Sequence, residues 1–200
     1  MEPEVAPGGE EGAVEEQPER RPLDPETAAR REAALEHVVR YGDPILRERA
    51  REVEAFDAAL RADVERMVKL MDDALGVGLA ATQIGMLRRV LVYRLPEGEA
   101  RAVVNPVIAE TSDEREPFFE GCLSLPGVWV DVERPARVVV RGFDEHGEAI
   151  EIAGEGLEAS VLQHEVDHLD GVLILDRLPR EARKEAMRAL RAALEGERSG

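Results

Sequence analysis

Two histidines four residues apart, His164 and His168, with Glu165 directly after the first, are the residues of this chain best equipped for chemistry. On an α-helix, positions i and i+4 lie one above the other, so both imidazoles can grip one metal ion. Glu165 then stands about 100° round the helix, beside the ion. A carboxylate there can take and return the protons of an activated water. The flanks read as helix: Val161, Leu162, Val166 and Leu169 recur at helical spacing, and Gly171 supplies a stop. This is the chemistry of a metal-dependent hydrolase.

Two imidazoles leave a catalytic ion one protein ligand short. In one class of zinc protease the third ligand is a histidine six residues past the second, but Ile174 holds that position. In another it is a glutamate on a following helix. Glu181 and Glu185 are available, yet they lie among arginines on what reads as a surface helix. The remaining candidate is Cys122, the only cysteine, in the run EGCLSLPG at 120–127. A lone cysteine is more often a small buried hydrophobe than a ligand. A zinc metalloprotease using a downstream glutamate therefore stays open at this point.

The elements that position these residues follow from periodicity and punctuation. Leu60, Val64, Met67, Val68 and Met71 give residues 56–75 one apolar helical face. That helix runs into GVGLAATQIG at 76–85, read as a loop of small residues. It lacks the lysine and hydroxyl of a phosphate-binding loop. Small residues around Val77 and Gly78 instead let a substrate backbone approach closely. Gln83 is the only strongly polar side chain there. Short β-branched runs at 89–95, 102–108, 127–132, 137–143 and 149–153 are separated by turn signals such as 144–147, which predicts antiparallel pairing. His146 in that turn and His37 on an early polar helix read as solvated. The expected fold class is α+β: antiparallel β-sheets around a central helix bearing the HExxH residues, with a C-terminal helix.

Three regions are expected: an acidic, disordered tail at 1–27, a catalytic domain at 28–178, and a C-terminal amphipathic helix and end at 179–200. The tail carries nine acidic side chains against two arginines and no periodic apolar pattern. Residues 28–41 are helix-friendly, closed by YGDP. From Arg177 onward seven basic residues face four acidic ones, in a chain of formal net charge −17. So acidic a protein is a poor binder of DNA or of anionic membranes. One cysteine permits no internal disulfide and fits a reducing compartment. With no apolar run long enough to span a bilayer and no signal-peptide pattern, the expected location is cytoplasmic. Monomer is the default.

The three motifs GVGLAATQIG (76–85), EGCLS (120–124) and QHEVDHLDG (163–171), in that order, resemble those of the peptide deformylase family. YGDPILR at 41–47 is similar to the family's usual entry, so the resemblance covers about residues 38–178. Thr82 departs from it, standing where the family carries proline. The resemblance implies ligation of one divalent metal by Cys122, His164 and His168. Fe(II) comes first, with Zn(II), Ni(II) or Co(II) as alternatives. It also implies Glu165 as general base and acid, and the Gln83 amide and the Leu123 backbone N–H as donors to the developing oxyanion. The implied reaction removes the formyl group from N-formylmethionyl nascent peptides. A ribosome contact through the C-terminal helix is implied too, against the plainer reading of a solvated face with i,i+4 pairs.

One specificity expectation needs only helix geometry. Leu157, Val161, His164 and His168 are spaced four, three and four, so they share a face. If the histidines face the ion, Leu157 and Val161 line an apolar groove suited to an unbranched side chain such as methionine. Core packing accounts for the same pair equally well.

Overall fold

The computed structural model describes residues 22–197. Five helices and seven strands follow in the order α1 (Pro25–Leu35), α2 (Ala58–Asp73), β1 (Gly78–Ala80), β2 (Val90–Tyr93), β3 (Arg101–Thr111), β4 (Arg115–Cys122), β5 (Leu125–Pro135), β6 (Arg137–Phe143), β7 (Ala149–Glu155), α3 (Gly156–Leu169), α4 (Ile174–Arg177) and α5 (Arg180–Glu197). An antiparallel sheet of order β1-β2-β3-β6-β7 and a separate β4-β5 hairpin surround α3. The expected class and layout are those observed.

α3 owes its central place to what it buries. Every residue from Ala159 to Leu169 is buried, polar and apolar alike. Ala159, Val161, Leu162, Val166 and Leu169 pack against Leu91, Val103, Val140 and Ile152 of the large sheet. Of the polar residues between them, Ser160, Gln163, His164 and Asp167 bond to the hairpin. A helix buried all round needs partners for every polar group, and the site supplies them. The helix ends where predicted: Gly171 takes φ +74°, its N–H donates to the His168 carbonyl at 3.2 Å, and Val172 N–H donates to Asp167 O at 2.9 Å. This is a Schellman cap. A Cβ at 171 would lie 2.5 Å from the Arg47 carbonyl oxygen, so only glycine fits.

Several boundaries differ from expectation. The first helix starts at Pro25, with the Asp24 side chain accepting from Thr27 N–H at 3.0 Å. A tail ending at residue 27 therefore ends inside α1, and the rest of the predicted tail, residues 1–21, lies outside the described residues. α1 stops at Leu35, which leaves His37 exposed in the turn beyond it, while His146 is in its expected turn. The glycine-rich run is not a loop. It forms β1, paired with β2 through Gly78–Tyr93, Leu79–Val92 and Ala80–Leu91, and then a single 3-10 turn at Ala81–Ile84. Strand β4 lacks an alternating apolar pattern and exists through its pairing with β5. The C-terminal helix is no appendage: Ala182, Ala186, Met187, Leu190 and Leu194 pack on Leu125, Val128, Val132 and Ile174. Its basic residues take the opposite, exposed side. Among the described residues no helix is long and apolar enough to cross a membrane.

Candidate metal centre

Three elements bring the motif residues together. α3 carries His164, Glu165 and His168, the end of β4 carries Cys122, and the 3-10 turn after β1 carries Gln83. The ligand atoms of Cys122, His164 and His168 all lie within 4.8 Å of one another. Cys122 Sγ is 3.2 Å from His168 Nε2, and the two rings meet edge to face with centroids 4.9 Å apart. A sulfur and two nitrogens this close surround a space of the size a four-coordinate ion fills at bonds of roughly 2.0–2.3 Å. Neither Glu181 nor Glu185 joins that cluster.

Of the three donors, His164 has a buried polar network behind it. His164 Nδ1 meets Glu120 Oε2 at 3.0 Å, which leaves its Nε2 for an ion. Glu120 also accepts from Ser160 Oγ at 3.0 Å and from Arg134 Nε at 2.5 Å. Arg134 Nη1 continues to Asp167 at 2.8 Å, and Asp167 pairs with Arg177 at 2.5 Å. The chain Ser160–Glu120–Arg134–Asp167 is buried throughout. Burial pushes the Glu120 carboxyl up, but the hydrogen bonds from His164 and Arg134 outweigh it and hold the group at about 2. Burial pulls His164 down, yet its bonds to Cys122 and Glu120 carry it well above the usual histidine value. His168 lies well below, through burial and the neighbouring His164 charge. His168 Nδ1 and Glu165 Oε2 are buried with no hydrogen-bond partner among the described residues.

Glu165 lies against β1. A Cβ added to Gly78 would collide with Glu165 Oε1 and lie 2.9 Å from its Cδ. Glycine is therefore required at 78 to let the carboxylate stand where it does. Burial, opposed by the His164 charge, raises this carboxyl to about 7, the range in which a group both accepts and returns protons at neutral pH. Gly78→Ala is expected to lower kcat on the order of 100-fold, the scale of a displacement near 1 Å at a reacting group. Metal content should stay at the wild-type level, and a wild-type kcat would refute the contact.

Gln83 Oε1 accepts from Ala80 N–H at 2.9 Å, which turns Nε2 toward Ser124 Oγ at 3.3 Å and Cys122 Sγ at 3.7 Å. Residues before α2 strap this corner down. Val39 N–H donates to the Gln83 carbonyl at 2.7 Å, Tyr41 N–H to that of Ser124 at 2.9 Å, and Arg40 Nη1 to that of Leu123 at 3.2 Å. The Thr82 hydroxyl donates to the His168 carbonyl at 3.2 Å, which ties the turn to the end of α3. Of the proposed groove residues, Leu157 is 46% exposed, while Val161 is 5% exposed and packed in the core. Val77 is 46% exposed beside the buried Gly78. Arg134 and Arg40 carry no local sequence signal, since each acts on partners distant in the chain. Glu120 and Asp167 stand inside the motifs, where spacing alone gives them no role.

An α+β fold that sets a thiol, two imidazoles and a buried carboxylate around one point belongs to the metal-dependent hydrolases. The sequence model of the polypeptide deformylase family matches residues 35–184, most of the chain, and the chain belongs to that family. It is 48% identical over 153 residues to the peptide deformylase of Acidothermus cellulolyticus, covering 76% of this chain and 84% of that one. Against the Thermotoga neapolitana peptide deformylase the identity is 49% over 138 residues, covering 69% and 84%. Among solved structures, a peptide deformylase from Legionella pneumophila superposes with a TM-score of 0.77 at 39% identity, covering 82% of this chain and 97% of the other. One from Synechococcus elongatus, in complex with actinonin, gives 0.73 at 39% identity, covering 76% and 85%.

Proposed function

We propose that Cys122, His164 and His168 hold one divalent ion, Fe(II) before Zn(II), Ni(II) or Co(II), and that Glu165 moves the protons of an amide hydrolysis. The reaction is removal of the formyl group from the N-terminal formylmethionine of newly made proteins. The observation that carries this reading is Glu165: buried beside the donor cluster, held against Gly78, with its carboxyl raised to about 7. A thiolate with two imidazoles binds any of these metals, so the donor set fits the cofactor without choosing among them.

When bound, the ion lowers the pKa of a water and polarises the formyl carbonyl. Glu165 accepts a proton from the attacking water, whose oxygen adds to the formyl carbon. Gln83 Nε2 and the Leu123 backbone N–H donate to the carbonyl oxygen as it becomes anionic. The C–N bond then breaks, Glu165 returns its proton to the departing amine nitrogen, and the products are formate and a free N-terminus. Val77, just before β1, and Gly78, its first residue, border the peptide backbone. Leu157 offers the apolar area for the methionine side chain, with Val161 behind it. Mass spectrometry of formyl-Met-Ala-Ser after incubation tests the reaction: the reading expects intact Met-Ala-Ser and formate, and internal fragments would contradict it.

The acidic composition and the single cysteine support a cytoplasmic location, where such chains are made. The exposed side of α5 groups Arg180, Arg183, Lys184, Arg188 and Arg191 along one groove, which supports a salt-sensitive ribosome contact. Because the other side of α5 is part of the core, Arg188→Glu with Arg191→Glu is a cleaner test than deletion of the helix. Ribosome co-sedimentation should fall in the double variant, and unchanged co-sedimentation would refute the contact.

A further inference from the structure

Thr82 is the position at which this chain departs from the family's motif, and the mechanism above gives it no part. Its side chain is fully buried. It is the second residue of the 3-10 turn Ala81–Ile84, directly before Gln83. Its hydroxyl donates to the His168 carbonyl at 3.2 Å. Among the described residues this is the one hydrogen bond between residues 81–84 and α3. His168 lies in the last turn of α3, where carbonyls lack a partner four residues on. Its carbonyl accepts instead from the cap N–H of Gly171 at 3.2 Å and from the Thr82 hydroxyl.

The two histidines are supported differently. His164 is fixed through its ring, by Glu120 at Nδ1. His168 turns Nε2 toward Cys122 Sγ, and its Nδ1 has no hydrogen-bond partner among the described residues. The direction of that ring is therefore set by packing and by its backbone, and Thr82 ties that backbone to the Gln83 turn. On the turn itself, the bond from Ala80 N–H to Gln83 Oε1 aims the amide at Cys122. Val39 N–H holds the Gln83 carbonyl from the other direction at 2.7 Å. The Thr82 bond thus fixes the separation between a metal ligand and the oxyanion donor.

We propose that Thr82 is a positioning residue whose hydroxyl latches the Gln83 turn to the backbone of His168, so that one bond steadies both the metal ligand and the oxyanion donor. The inference rests on the deformylation reading for its effect on rate, and on the donor cluster alone for its effect on metal release. The competing role for Thr82 is packing, in which its volume matters and its hydroxyl does not.

The test compares Thr82→Val, which keeps the branched shape and loses the hydroxyl, with Thr82→Ser, which keeps the hydroxyl and loses the methyl. Zn(II)-loaded protein is mixed with excess chelator, and zinc release is followed by the colour of the chelate. Thr82→Val should release zinc about 3- to 10-fold faster than the wild type, the fold-change of one neutral hydrogen bond. On Fe(II)-loaded protein with formyl-Met-Ala-Ser, its kcat should fall about 3- to 10-fold while KM moves by less than about 2-fold. Thr82→Ser should stay close to the wild type in both. Packing alone predicts a lower denaturant midpoint with zinc release and kcat unchanged, and that result would overturn the latch. Equal changes in the two variants would overturn it too, since they would trace the effect to lost volume. No formate even from the wild type would instead strike the deformylation reading, and zinc release would then decide the latch alone.

Discussion

Glu165→Ala is expected to release formate about 1,000-fold more slowly than the wild type while keeping its fold and its bound metal. The magnitude is that of a positioned general acid and base, roughly 10²–10⁴ in rate. The selectivity follows from geometry. Glu165 is not one of the clustered donors, so its removal leaves Cys122, His164 and His168 in place. Its Oε2 has no hydrogen-bond partner among the described residues, so truncation breaks no bond at that atom. The cavity left beside Gly78 is a single side chain deep. Steady-state kinetics and metal analysis on one preparation check the outcome. Loss of metal together with activity would mean that Glu165 acts as a ligand, and full activity would remove it from the reaction.

Arg134→Met is expected to cost roughly 3–5 kcal/mol of stability and to weaken metal binding about 10- to 100-fold. Arg134 lies between two buried carboxylates, Glu120 and Asp167, and its side chain is 3% exposed. Methionine approximates its volume but leaves both acids without that partner. Asp167 keeps Arg177, whereas Glu120 keeps Ser160 and His164 and no other cation among the described residues. The loss is therefore felt at Glu120, and through it at the orientation of the His164 ring. Arg134→Lys should rescue little, because one ammonium cannot reproduce the paired bonds from Nε and Nη2 to Glu120 at 2.5 and 3.0 Å. Denaturant midpoints with a competitive metal titration check both effects. Wild-type stability and metal affinity would show that the network supports nothing.

The site is largely legible in the sequence because its parts are local. Spacing alone puts His164 and His168 on one helical face, the absence of other third ligands points at Cys122, and Gln83 stands out as the polar residue in a run of small ones. What escapes is built by contacts across the chain. Arg134 falls between two strand-like runs as one more charge, and only the packing of β5 against α3 brings it between Glu120 and Asp167. The strap at 39–41 reaches Leu123 over 83 residues. β1 is hidden because its glycine and alanine, which make room for Glu165 and the core, carry little β propensity. β4 is hidden because neither of its faces alternates cleanly. The helix cores hold and their ends move, since capping by Asp24 and Asp57 is decided by single side chains.

The most direct test of the metal-hydrolase account follows formate release from formyl-Met-Ala-Ser by protein purified without oxygen, then stripped with a chelator, then resupplied with Fe(II). The account predicts release that disappears with the metal and returns with it, in proportion to one ion per chain. Steady release by protein shown to be metal-free, or none by protein carrying one ion, would contradict it.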